Sequence, residues 1–163
     1  MLDSLLVAFL KSGCFDGIPL GAGYSDVEGK YGLPTMGKHS WEPEKFPDET
    51  WEWWKYGDLE FFFQAGTLWT IIIRFGGEVP TFCGVAFKDW SFTPKLLDRA
   101  QFISFASQDG IELRRSAKLG FEHEVIYETA SGVEVRFCVC DQLLIDLRIS
   151  DPLGLRRSDP FSC

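Results

Sequence analysis

The segment Tyr56 to Phe75, YGDLEFFFQAGTLWTIIIRF, recurs in altered form as SGVEVRFCVCDQLLIDLRIS, Ser131 to Ser150. Each copy opens at a glycine, alternates apolar residues, breaks at a polar turn and resumes as an apolar run with a late arginine. Successive side chains of a strand point to opposite faces, so this period-two pattern reads as a β-hairpin in both places. Leu59, Phe61, Phe63, Leu68 and Ile72 align with Val133, Val135, Phe137, Leu143 and Leu147, with one residue of slack in the turn. A two-fold internal repeat of hairpins is the architecture this implies.

Strands are expected at Trp51 to Tyr56, Leu59 to Gln64 and Leu68 to Phe75, with Gln64-Ala65-Gly66-Thr67 as a hairpin turn. The first hairpin is apolar on both faces, as befits a strand covered on both sides. A short strand is expected at Phe82 to Phe87, and others at Ile111 to Arg115 and His123 to Glu128. The last hairpin alternates cleanly. Val133, Val135, Phe137 and Val139, with Leu143, Ile145, Leu147 and Ile149, read as inward; Glu134, Arg136, Asp146 and Arg148 read as a solvated outer face.

Helix signals precede each hairpin. Leu2, Leu5, Leu6, Phe9 and Leu10 share one face of a helix running from about Asp3 to Lys11 and stopped by Gly13. Ser25 and Glu28 have capping-box spacing for a helix from Asp26 to Tyr31, closed by Gly32 and Pro34. Thr93 and Pro94 suit the N-cap and first turn of a helix over Lys95 to Ser107, with Leu97, Ala100, Phe102, Ile103 and Ala106 as its apolar face. The expected fold class is therefore α+β: two helix-plus-antiparallel-hairpin repeats forming a curved antiparallel sheet, with helices packed on one side. A single domain is expected over residues 1–163, with repeats at 1–90 and 91–150 and an irregular tail at 151–163.

The chain is acidic, with a net charge of −8. Neutralising phosphates requires clustered Lys and Arg, so this balance argues against a nucleic-acid partner. The apolar run at the N-terminus is short and lacks a basic flank, which fits neither a signal peptide nor a membrane span. The five cysteines, Cys14, Cys83, Cys138, Cys140 and Cys163, lack framework spacing, and Cys138 and Cys140 are expected on one strand face, where they would not bridge. Reduced thiols and a cytoplasmic location follow.

Motifs for chemistry are sparse. Gly21-Ala22-Gly23 lacks the remaining residues of a dinucleotide or P-loop fingerprint. His39 and His123 have no second ligand at metal spacing, and no nucleophile motif accompanies them, so no metal, cofactor or catalytic residue is assigned. Asp58 and Glu60 would lie roughly 6–7 Å apart on one strand face, a spacing open to acid–base work, partner contact or plain solubility. Acid and aromatics concentrate instead between Trp41 and Glu60. The candidate contacts there are Trp41, Glu42, Glu44, Asp48, Glu49, Trp51, Asp58 and Glu60. Exposed apolar groups rimmed by charge are the mark of an interaction surface.

Gly23, Ser25, Val27, Gly32, Pro34, Trp54 and Tyr56, followed by the first hairpin, resemble the helix–hairpin module of small outer-membrane-assembly lipoproteins. The same residues are similar to the tandem repeats of the beta-lactamase inhibitor protein. In style the chain resembles the acidic immunity proteins encoded beside bacterial toxins. The resemblance implies a scaffold that binds other proteins through a concave aromatic sheet face. Acidity, abundant aromatic anchors and the absence of catalytic motifs point to a non-enzymatic immunity protein or inhibitor that blocks a basic toxin or enzyme site. Two alternatives stay open: a small-molecule-binding domain or enzyme with an aromatic-lined pocket, and a homodimer that covers the doubly apolar hairpin.

Overall fold

Among the described residues, seven antiparallel strands and three helices make this an α+β protein with an antiparallel sheet. The structure, a computed structural model, describes residues 2, 4–37, 51–75, 98–118 and 123–151, with the backbone alone at Trp51. The helices are α1 (Ser4–Ser12), α2 (Tyr24–Tyr31) and α3 (Arg99–Gln108). The strands are β1 (Trp51–Tyr56), β2 (Leu59–Gln64), β3 (Thr67–Arg74), β4 (Arg114–Arg115), β5 (Glu124–Glu128), β6 (Glu134–Cys138) and β7 (Leu144–Ser150). Their order in the sheet is β1-β2-β3-β7-β6-β5-β4. Two meanders, β1–β3 and β5–β7, thus meet through their last strands. Both carry a register shift, at Phe62/Phe63 in one and Arg136/Phe137 in the other.

Register explains the core. Tyr56, Leu59, Ile73, Leu147, Val135 and Tyr127 stand opposite one another across six strands, and Trp54, Phe61, Ile71 and Ile149 form the adjoining row. All three helices cover this one face. α1 buries Leu6, Phe9 and Leu10, α2 buries Val27, and α3 buries Phe102 and Ala106, all in one apolar cluster with the sheet. Tyr24 stacks on Trp54 with ring centroids 5.1 Å apart, Tyr31 on Phe61 at 5.7 Å, and Phe102 meets Phe137 edge-on at 5.7 Å. Such ring pairs add about 0.5–1.5 kcal/mol to the area they bury. α1 stops at Gly13, where φ is +75° and a Cβ would lie 2.7 Å from Ile149 Cδ1. Glycine alone satisfies both the left-handed backbone and the close approach.

Several expectations are corrected. α2 begins at Tyr24, two residues early, so its N-cap is Gly23 and the residue reaching back is Asp26, whose carboxylate accepts the Gly23 N–H at 2.7 Å. Asp98 is extended and caps α3 by accepting from the Gln101 N–H at 2.7 Å, so that helix starts at Arg99. Thr93, Pro94 and the strand expected at Phe82 to Phe87 lie outside the described residues. The shift at Arg136/Phe137 sets Leu144, not Leu143 or Ile145, opposite Phe137, and Val139 and Leu143 end up exposed in the turn. Cys138 and Cys140 are joined in a disulfide, and Cys14 is likewise disulfide-bonded, against the expectation of reduced thiols. The reason is local: β6 ends at Cys138, the chain turns at Val139, and the two Cα atoms close to 5.5 Å, within bridging range.

The helix–sheet layer has a titration signature. Burial, followed by the neighbouring Glu28 charge, pushes the Tyr56 phenol up to about 12; burial and the hydrogen bond to Glu52 push Tyr24 up to about 12. Burial beside Asp16 raises Tyr31 as well. A raised phenol favours the folded state while it is neutral, a stabilisation complete below the ordinary value near 10 and lost as pH climbs toward the folded value. The midpoint of urea unfolding should therefore fall steadily from about pH 10 upward. Tyr56→Phe should make that fall shallower while costing about 1 kcal/mol at neutral pH, from the lost hydrogen bond to the Gly32 carbonyl at 2.8 Å.

Candidate functional site

The face of the sheet turned away from the helices carries charge in rows. Lys55, Glu60, Ile72, Arg148, Glu134, Glu128 and Arg114 stand opposite one another in register, and Arg74, Asp146, Arg136 and Ile126 form the next row. Opposite signs face one another in these rows except where Glu134 stands opposite Glu128, a like pair bridged by Lys118. Lys55 Nζ lies 3.5 Å from Glu60, and Arg74 Nε donates to Glu60 Oε1 at 3.0 Å. Asp146 Oδ2 then collects three guanidinium groups: Arg74 at 4.0 Å, Arg136 at 3.7 Å and Arg148 at 3.7 Å. Arg136 also pairs with Glu124 on β5. At the far end Lys118 bridges Glu128 at 2.9 Å and Glu134 at 2.8 Å.

This ladder is not the solvated face that the alternation suggested. Glu60 is 3% exposed, Arg136 6% and Asp146 1%. Burial lifts the Asp146 carboxyl above the ordinary carboxylate range, opposed by Arg148, Arg136 and Arg74. Burial draws the Arg74 guanidinium down, yet its hydrogen bond to Glu60 and the charges of Glu60 and Asp146 leave it raised. Asp146 Oδ1 and the Nε atoms of Arg136 and Arg148 find no hydrogen-bond partner among the described residues. Pairing across strands is what makes charge tolerable there, because a buried ion left without its partner carries a desolvation cost that nothing offsets.

Beside the ladder, toward the β1 edge, lies an aromatic patch. Trp53, Phe62 and Trp69 are all half-buried. Trp53 stands opposite Phe62, and the register shift after Phe62 brings the Trp69 ring to 6.4 Å from the Phe62 ring, edge to face. Lys55 Nζ sits 5.9 Å from the centre of the Trp53 ring. The β1 edge is itself partly capped: the Lys55 N–H donates to the Met36 carbonyl at 3.0 Å, and the Thr35 N–H to the Lys55 carbonyl at 3.0 Å. Leu33 and Met36 in that strap are exposed.

Of the candidate contacts read from sequence, Trp41, Glu42, Glu44, Asp48 and Glu49 lie outside the described residues. Trp51 opens β1 opposite Gln64. Asp58 belongs to the turn before β2, where its carbonyl accepts the Arg74 N–H at 2.9 Å. Burial raises its carboxyl, Lys55 lowers it and Glu60 raises it again. Glu60 is buried within the ladder. The two acids are neighbours, but they do not form an exposed pair on one strand. Trp53, Phe62, Trp69, Arg74 and Arg136 were not singled out as contacts together. Alternation alone could have set Trp53 beside Lys55 and Phe62 beside Glu60; the meeting of Arg74 with Asp146 needed the β3–β7 pairing.

One further cluster carries reactive groups. Cys138, Cys140 and Asp141, in the turn between β6 and β7, hold potential ligand atoms within 4.8 Å of one another. Joined as a disulfide, the two sulfurs offer no thiolate pair. Comparison of the chain with protein-family models, curated proteins and solved structures gives no significant match.

Proposed function

We propose that this protein is a non-enzymatic protein-binding module, of the kind that serves as a bacterial immunity protein or inhibitor by occluding a basic site on a toxin or enzyme. The observation that carries the reading is the half-buried trio Trp53, Phe62 and Trp69, set on rigid strands and bordered by the Lys55–Glu60–Arg74 ladder. Tryptophan is over-represented at interface hot spots, where burial against a partner contributes most of the affinity. A net charge of −8 speeds encounter with a basic partner and disfavours an acidic one. The two meanders, each preceded by a helix and each shifted in register within its hairpin, support the reading of the chain as two repeats. A cytoplasmic location belongs to the same proposal, and there the thiol systems would have to open the Cys138–Cys140 bond and that of Cys14.

The test is coexpression with the products of flanking genes, followed by affinity measurement on any pair that copurifies. Trp53→Ala with Trp69→Ala should weaken such a complex by about 100-fold or more, as loss of a hot spot does. The triple replacement of Asp48, Glu49 and Asp58 by alanine should slow association and flatten its salt dependence. Unchanged affinity in the double tryptophan variant would remove this face from the proposal.

A further inference from the structure

We propose that Cys138-Val139-Cys140 is a redox-active couple, a disulfide that opens and closes by exchange with external thiols. The two residues are separated by two positions, so the bond closes a very short loop and constrains the unfolded chain little. Structural staples draw their benefit from long loops. Access is provided as well: Cys140 is exposed and Cys138 half-buried at the end of β6. The Cys140 N–H lies 3.3 Å from Cys138 Sγ, placed to stabilise negative charge on that sulfur when it leaves as thiolate. Val139 and Leu143, 44% and 37% exposed, flank the pair with apolar surface that an approaching thiol compound can cover.

The turn around the pair is held independently of the bond. The Cys138 N–H donates to the Leu143 carbonyl at 2.9 Å, the Val139 N–H to the His123 carbonyl at 2.7 Å, and the Arg99 N–H to the Gln142 carbonyl at 2.9 Å. The sulfurs therefore stay near one another after reduction and can close again. In the forward direction an external thiolate attacks Cys140 Sγ, the sulfur–sulfur bond breaks, and its electron pair leaves on Cys138, which then takes a proton from water. A second external thiolate attacks the external sulfur of the mixed disulfide, releasing Cys140 as thiolate. The protein disulfide is reduced to a dithiol while two thiols are oxidised to one disulfide, so electrons balance.

The experiment equilibrates the full chain in glutathione buffers from fully reduced to fully oxidised, alkylates free thiols and reads each cysteine by peptide mass. Cys138 and Cys140 are expected to interconvert reversibly, as one two-electron transition, inside that range. Cys138→Ser should instead carry one glutathione on Cys140, the exposed sulfur. A pair that resists alkylation at every ratio would be an inert staple, and a pair alkylated even in the most oxidising buffer would never close; either result overturns the proposal. Failure of the Cys138→Ser chain to take up glutathione would also count against it, because Cys140 would then not be the attacked sulfur.

Discussion

Replacing Arg136 by alanine is expected to cost about 3–5 kcal/mol of stability, the loss typical of breaking a buried ion pair from one side. Arg136 bridges Glu124 on β5 and Asp146 on β7, and both the guanidinium and the Asp146 carboxylate are almost fully covered. Its removal leaves Asp146 with the more peripheral Arg74 and Arg148, at 4.0 and 3.7 Å. Chemical denaturation of the single and triple variants separates lost attraction from stranded charge. If the penalty is stranded charge, Arg136→Met combined with Asp146→Leu and Glu124→Gln should recover much of it, since apolar replacement of a whole buried network is often neutral or better. Acid gives an independent check. The Asp146 carboxyl is raised by burial, so the folded state holds its proton more tightly than the unfolded chain does. Its contribution to stability is full below the ordinary carboxylate range and is lost as pH rises through the raised value. Mild acid should therefore rescue part of the Arg136→Ala defect, whereas a cost under about 1 kcal/mol at neutral pH would mean that the ladder is ornamental to folding.

Strand existence was legible in the sequence because both hairpins carry strong period-two patterns. Trp51–Tyr56 and Leu59–Gln64 were expected with the observed bounds. Strand order was not legible: β3 pairs with β7 across a separation that no local pattern reports, and that pairing is what sets Arg74 against Asp146. The outer residues Arg136 and Asp146 were read as solvated because alternation distinguishes two faces but does not say whether one is dry. The one-residue register shifts had a similar effect. They moved Leu143 out and Leu144 in, and set Ile71 and Ile73 toward the core with Ile72 opposite Arg148 on the other face. The helix caps failed for a local reason: Asp26 reaches back to the Gly23 N–H in the role read for Glu28, and Asp98 offers α3 a capping carboxylate at its own start. Of the candidate site, the sequence located the β1–β2 neighbourhood through Trp51, Asp58 and Glu60. It missed the half-buried rings because Trp53 and Phe62 look, in composition alone, like core.

The adjacent residues Phe61 and Phe62 test that division between core and surface most directly. Phe61 is fully buried, packed between Tyr31 and Tyr56, with Trp54 and Ile71 opposite it in register. Phe61→Ala removes an aromatic ring from the middle strand of the first meander, where two pairing partners limit collapse into the space. The expected cost is about 3–5 kcal/mol, transfer and cavity terms together. In a chain of this length that lowers the melting temperature by roughly 10 °C. Phe62 projects to the other face, half-buried against Trp69. Phe62→Ala should cost no more than about 1 kcal/mol, as partly exposed substitutions do, and its main effect should be weaker partner binding. The measurement is thermal and urea unfolding of both variants beside the binding assay. If the outer face is an interaction surface, the variants separate: Phe61→Ala loses stability while its folded fraction still binds, and Phe62→Ala stays folded and loses affinity. Equal destabilisation by both would mean that Phe62 is covered from the outer side by the protein itself, and that face would then be a second core.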